Sequence, residues 1–208
     1  MASSSQKTLG YLFVLLLVAA IGIGSRVWQR DATSVTIGGS FTLVRSDTGE
    51  TVTPASFRGR YMLVYFGYTY CPDVCPTSLS TIAAALDELP DSVMQKITPL
   101  FITVDPSRDT VEAIKAYVGF FHPKLIGLTG TQAQTTAAAK AYQVQYSYVK
   151  DGETITAPTA KMDYTVDHSS LVYLMAPDGS FVRYFEHGTS FQDMAKGITT
   201  AMAKAAQP

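Results

Sequence analysis

Y-F-G-Y-T-Y-C-P-D-V-C-P, Tyr65 to Pro76, contains both cysteines of the chain, Cys71 and Cys75. Before it, Tyr61 to Phe66 is apolar and partly β-branched, the pattern of a buried strand. After it, Pro76 to Leu89 reads as a helix, with Leu79, Ile82, Ala83, Leu86 and Leu89 on one stripe. Two thiols therefore occupy the turn between a core strand and a helix. A proline follows each cysteine and biases it away from helical dihedrals. Pro76 suits the first helical position, where a missing N–H is harmless. Cys75 is then expected at the helix N-terminus, where partial positive charge favours a thiolate over a thiol.

Such a pair can be a structural disulfide, a redox dithiol or two soft metal ligands. A structural bridge across so short a loop gains little chain entropy. The C-x3-C spacing differs from the C-x-x-C of thioredoxin-type redox sites and from common zinc spacings. The extra residue leaves room for an ion between two sulphurs.

The chain has 208 residues and a net charge of −1, with 16% charged residues. That is enough for one domain with a full core plus an appendage. Nothing in it resembles a nucleic-acid surface. Leu9 to Gly24 carries no charge, and Val27-Trp28 can extend the run to the membrane interface. The expected organisation is a polar tail over 1–8, a transmembrane anchor over 9–28, a linker over 29–37 and a folded domain over 38–206. A cleaved signal peptide is the competing reading, but no convincing A-x-A site follows the run.

Further along, Phe41 to Val44 and Thr51 to Thr53 can pair around Asp47-Thr48-Gly49. Ile97 to Val104 is a second buried strand, followed by a helix that Asp109 and Glu112 are expected to cap and that buries Val111, Ile114, Val118 and Phe121. Leu125 to Leu128 is a short extended piece, and Thr131 to Tyr142 an Ala-rich helix. Val144 to Val149 alternates like a half-exposed strand, and Lys150 to Lys161 reads as loop. Leu171 to Ala176 and Phe181 to Phe185 form a hairpin. A last helix starts at Ser190 with Asp193 at the capping-box position. Strands alternating with helices predict an α/β fold with a mixed sheet flanked by helices. A site at the C-terminal end of the first core strand agrees with the rule for open sheets.

Three histidines are the remaining soft donors. His168, in V-D-H-S-S before the strand at Leu171, is the strongest candidate for a third ligand. A cysteine pair already lacks a partner, and Asp167 beside it can back a ligating imidazole. His122 is expected to cap a helix or lie at the surface, and His187, in E-H-G, to be exposed and structural. Two thiolates and one imidazole form a soft site of low coordination number, which suits Cu(I) and also Cu(II). Zinc would want a fourth ligand, which Asp73 or Asp167 can supply.

The chain resembles the Sco/SenC family of membrane-anchored, thioredoxin-like copper proteins. The matching pieces are F-G-Y-T-Y-C-P-D-V-C-P (Phe66–Pro76), V-D-P-S-R-D-T (Val104–Thr110), G-L-T-G (Gly127–Gly130) and V-D-H-S-S-L-V-Y-L-M-A-P-D-G-S-F (Val166–Phe181). The resemblance implies a thioredoxin-like domain that binds copper through Cys71, Cys75 and His168, with Asp167 involved in handing copper on. It implies a part in building the dinuclear copper centre of cytochrome c oxidase. The partners would be the copper-site subunit of the oxidase, another periplasmic copper donor and a thiol reductant. A thiol–disulfide oxidoreductase acting on the oxidase's copper-site cysteines is the alternative. Thioredoxin-like redox proteins usually keep a cis-proline where this chain has His168-Ser169-Ser170. Without an Arg-rich amphipathic leader, a bacterial inner membrane with the domain in the periplasm fits better than the mitochondrial inner membrane facing the intermembrane space.

Overall fold

The computed structural model describes residues 36–156 and 158–205. The expected anchor and tail lie outside these residues; among the described ones, no helix is long and apolar enough to cross a membrane. The chain opens with a hairpin of β1 (Leu43–Arg45) and β2 (Thr51–Val52), then a short 3-10 turn, Pro54–Phe57. The core strands β3 (Tyr61–Gly67) and β4 (Ile97–Thr103) are buried along their whole length, which is why both read as continuous apolar runs. Between them lie α1 (Val74–Asp87) and a single turn, α2 (Asp91–Met94). After β4 come α3 (Val111–Phe121), β5 (Ile126–Thr129) and α4 (Gln132–Ala141). The hairpin of β9 (Val172–Met175) and β10 (Phe181–Phe185) precedes α5 (Phe191–Ala205).

These strands form a seven-stranded mixed sheet in the order β10-β9-β3-β4-β5-β1-β2. β3, β4 and β5 are parallel, and β9 and β1 pair antiparallel to them. The α1 stripe of Leu79, Ile82, Ala83, Leu86 and Leu89 is buried, as its periodicity predicts. So are Met194, Ala195, Ile198 and Met202 of α5. Ser190 and Asp193 cap α5: the Asp193 N–H donates to Ser190 Oγ at 3.1 Å, and Ser190 Oγ to Asp193 Oδ2 at 2.7 Å.

A second, three-stranded antiparallel sheet, β7-β6-β8, was not expected. It consists of β6 (Tyr146–Lys150), β7 (Glu153–Ile155) and β8 (Thr165–His168). The polar segment from Lys150 is thus partly a hairpin, turning at Asp151 and Gly152 with φ of 52° and 84°. Asp-Gly favours this turn because both central residues need positive φ. His168 ends β8 rather than merely preceding β9.

The cap of α3 also differs from expectation. Thr110 accepts from the Ala113 N–H at 3.2 Å, while Asp109 turns inward and is 1% exposed. Its carboxylate accepts from Thr69 Oγ1 and Thr103 Oγ1, each at 2.5 Å, and from the Thr69 N–H at 3.1 Å. It therefore pins the start of the cysteine turn to the end of β4. His122 does occupy the C-cap of α3, but it is buried: Nδ1 accepts from the Lys124 N–H at 3.1 Å and Nε2 lies 3.5 Å from Asp87.

Burial, opposed by those donors, pushes the Asp109 carboxyl up to about 6. A carboxyl raised in the folded state binds its proton more tightly there than in the unfolded chain. Its contribution to stability is therefore complete below pH ~4 and declines as pH rises to ~6, by roughly 2–3 kcal/mol. Asp109→Asn should flatten that part of the profile relative to wild type in urea denaturation between pH 4 and 7; parallel profiles would contradict it.

Candidate metal centre

β3 ends at Gly67, and this glycine is a spatial requirement. A Cβ there would stand 2.8 Å from Cys75 Sγ and 3.0 Å from the Phe101 ring. The cysteine sulphur occupies the space that a side chain would take. α1 starts at Val74, so Cys75 is helical despite the following proline, and Pro76 is the third helical residue rather than the first. The first-turn N–H groups have no intrahelical partner in any case, so proline is tolerated there. Asp73 holds the N-cap position without a capping bond from its carboxylate. The cap is a sulphur instead: the Cys75 N–H donates to Cys71 Sγ at 3.3 Å.

This arrangement reverses the expected roles of the two thiols. Cys71 is half-buried and Cys75 fully buried, and both are free. The hydrogen bond from the Cys75 thiol, helped by the backbone N–H groups of Cys75 and Asp73 and by His168, lowers Cys71 to about 5 against the opposing effect of burial. The same bond, together with burial, raises Cys75. The helix N-terminus favours a thiolate, as anticipated, but on the residue that points at its N–H groups.

The third donor crosses over from the second sheet. His168 Nε2 lies 3.3 Å from Cys75 Sγ, and Nδ1 lies 3.1 Å from the Ser169 carbonyl. A carbonyl only accepts, so Nδ1 carries a proton, and Nε2 is the nitrogen turned toward the sulphurs; in the neutral form of that tautomer its lone pair is free for a metal. The rings of Tyr65 and Tyr68 stand edge-on to the imidazole at 6.3 and 6.0 Å. Asp167 does not back the imidazole. It is exposed, pairs across the strands with Ser147, and alternates with His168 along β8. His187 is exposed, as expected, with Nδ1 3.1 Å from Ser78 Oγ.

Side chains of the V-D-P-S-R-D-T segment hold β8 against the cysteine turn. Arg108 Nε donates to Asp105 Oδ2 at 2.6 Å and Nη1 to the Tyr164 carbonyl at 2.9 Å. The guanidinium lies 3.6 Å from the Tyr164 ring centre and 4.7 Å from that of Tyr70. Tyr164 donates to Asp105 Oδ1 at 2.6 Å, and Tyr148 to the Val104 carbonyl at 2.8 Å. Tyr68 accepts from the Val166 N–H at 3.3 Å. None of Gly67, Arg108, Tyr68, Tyr148 or Tyr164 stood out as a site residue, because each acts through contacts that only the folded chain brings together.

The donor atoms of Cys71, Cys75 and His168 all lie within 4.8 Å of one another, and no carboxylate completes a four-ligand set with them among the described residues. Asp73 and Asp167 instead line the 350 Å³ groove in front of the site. Two sulphurs and a neutral nitrogen, with no hard oxygen donor, fit a soft ion of low coordination number better than zinc. Fold and site together define a thioredoxin-like domain with a Cys2His cluster able to hold a metal ion.

The chain belongs to the SCO1/SenC family, whose model matches residues 29–203. It is 43% identical over 176 residues to the human mitochondrial SCO1 homologue, covering 84% of this chain and 56% of that protein. It spans about half the length of the curated relatives it matches. Among solved structures, Arabidopsis thaliana ScoI with copper bound superposes with a TM-score of 0.71 at 37% identity, covering 81% of this chain and 99% of that one. Bradyrhizobium japonicum ScoI with copper bound gives 0.68 at 39% identity, with 79% and 99% covered.

In the reduced, metal-free protein, iodoacetamide should alkylate Cys71 with a pH midpoint near 5 and leave Cys75 slow throughout the neutral range. Cys75→Ala removes the leading cause of that depression, so the Cys71 midpoint should move upward. Equal labelling of both thiols at neutral pH would contradict the asymmetry.

Proposed function

We propose that this protein binds copper through Cys71, Cys75 and His168 and delivers it to the dinuclear copper centre of cytochrome c oxidase. The observation behind this reading is the soft three-donor cluster, with its exposed flank along the groove beside Cys71. Copper is cargo here. With only three protein donors, an incoming thiolate can enter before any protein ligand has left. Cys71 is the accessible sulphur and the first to exchange. Cys75 is buried and, with His168, retains the ion until the acceptor has engaged it. Asp167 and Asp73, on the groove rim, are positioned to meet polar or cationic groups of the acceptor, consistent with a role in transfer.

Residues 9–28 anchor the chain in a membrane, and residues 38–206 form the domain beyond it. A bacterial inner membrane with a periplasmic domain fits the N-terminal sequence. The mitochondrial inner membrane is the alternative, in line with the location that the names of the curated relatives give. The partners are the copper-site subunit of the oxidase, another periplasmic copper donor that loads the site, and a thiol reductant that keeps both cysteines reduced.

One observation favours a second reading. A depressed thiolate on Cys71, four residues from a buried resolving thiol, also suits a thiol–disulfide oxidoreductase that reduces the acceptor's cysteines. Both readings need both cysteines, but only delivery needs the imidazole. His168→Ala should keep the fold and a reducible Cys71–Cys75 pair, yet lose stable copper binding and oxidase maturation together. The test is complementation of a strain lacking the protein at low copper, scoring assembled oxidase and the redox state of its copper-site cysteines. If His168→Ala restores oxidase as well as wild type does while Cys71→Ser does not, the delivery reading fails.

A further inference from the structure

The Tyr65 hydroxyl is buried without a hydrogen-bond partner, although the residue is completely enclosed. A buried hydroxyl left unpaired is costly, and in a native fold it needs a reason. Two other buried polar atoms share this condition among the described residues, Tyr117 Oη and Arg108 Nη2. Tyr65 differs from them in what its ring touches. Tyr65 Cε1 and Cys75 Sγ close on the same small space above Gly67, at 3.2 and 2.8 Å from where a Cβ would be. On the other side, the ring stands edge-on to His168 at 6.3 Å. Tyr65 is thus wedged between two of the three candidate donors, and its phenol is left unpaired.

We infer that the Tyr65 hydroxyl is the hydrogen-bond donor to the Cys75 sulphur once that sulphur is metal-bound, and that it tunes the site's preference between Cu(I) and Cu(II). This rests on the copper reading above. A metal-bound thiolate carries negative charge and accepts a hydrogen bond far better than a thiol does, and the Tyr65 ring already closes on the same space as that sulphur. A hydrogen bond to a ligating thiolate withdraws electron density from the sulphur, as donors around metal ligands generally do. Less donation disfavours the higher oxidation state, so Tyr65 biases the site toward Cu(I), the softer form that exchanges readily between sulphur ligands. Neither cysteine nor histidine can supply this bias, because all three are occupied as ligands. Gly67 belongs to the same device, since a side chain there would push Cys75 Sγ and the Tyr65 ring apart.

The test is Tyr65→Phe in the full-length protein, loaded with Cu(II) and compared with wild type by visible absorption and redox titration. Loss of the donor raises the energy of the sulphur electrons, so the thiolate-to-Cu(II) band should shift to longer wavelength. Affinity for Cu(II) relative to Cu(I) should rise about tenfold, which lowers the reduction potential by about 59 mV for a one-electron couple. In the metal-free protein the variant should be at least as resistant to urea as wild type, since it deletes an unpaired hydroxyl; a purely structural tyrosine would instead lose stability with no change in the spectrum. Fluorotyrosine placed at position 65 alone, a stronger donor, should move band and potential the opposite way. Unchanged band and potential in Tyr65→Phe, with copper still held by two sulphurs and one nitrogen, overturns the inference and leaves the functional reading intact. A wild-type protein that takes no copper at these residues overturns the functional reading itself.

Discussion

The Arg108–Asp105 ion pair is the constraint on which the Cys2His cluster depends. Its atoms meet at 2.6 Å with side chains 6% and 0% exposed. A buried pair of this kind adds little net stability over well-packed apolar residues, but breaking it by removing one partner costs about 3–5 kcal/mol. Its use here is registry. Asp105 follows β4 of the large sheet and also accepts from Tyr164, and Arg108 holds the Tyr164 carbonyl just upstream of β8. The turn and helix that follow β3 of the large sheet supply the two sulphurs, and the small sheet supplies the imidazole. The polar clamp between the sheets fixes the distance between thiols and nitrogen, which neither sheet fixes alone.

That clamp surrounds a site whose two thiols are unequal. Cys71 is accessible, points along the helix N–H groups and favours the thiolate; Cys75 is enclosed beneath Gly67 and Tyr65 and favours the thiol. Unequal thiols suit an exchange site, since one ligand must yield before the other. They equally suit dithiol chemistry, in which one sulphur attacks and the other resolves. The imidazole separates the two uses. Its Nδ1–H is taken by the Ser169 carbonyl and Nε2 is turned to the sulphurs, an orientation that a metal ligand requires and a dithiol does not.

Much of this was legible in the sequence because it is local. The strand, turn and helix around Cys71 and Cys75 follow from a continuous apolar run, two prolines and a 3.6-residue stripe. The motif around His168 and the chemistry of an incomplete donor set singled it out, and the fold brings its ring to the two sulphurs. The less legible features are those in which a long-range contact outweighs a local preference. Asp109 looks like a helix cap and is instead drawn inward by Thr69 and Thr103. Cys75 looks like the thiolate until the direction of the first-turn N–H groups is known. Asp167 is a sequence neighbour of the ligand on the opposite face of an unanticipated strand. β7 lies in a polar segment that reads as loop, and β8 just beyond it is tied to the cysteine turn by Tyr68, which accepts from the Val166 N–H. Gly67 and Tyr65 matter only through the volume and the donor they present to a sulphur ten or fewer residues away in sequence but across a turn in space.

The central claim is that two sulphurs and one nitrogen, with no oxygen donor from the protein, make a copper site. X-ray absorption at the copper edge on the reduced, full-length protein loaded with one equivalent of Cu(I) tests it most directly. The account predicts one bound copper with two sulphur scatterers and one imidazole nitrogen, and loss of the nitrogen contribution in His168→Ala. A shell containing carboxylate oxygen, or a protein that isolates with four-coordinate zinc and refuses copper, would contradict it.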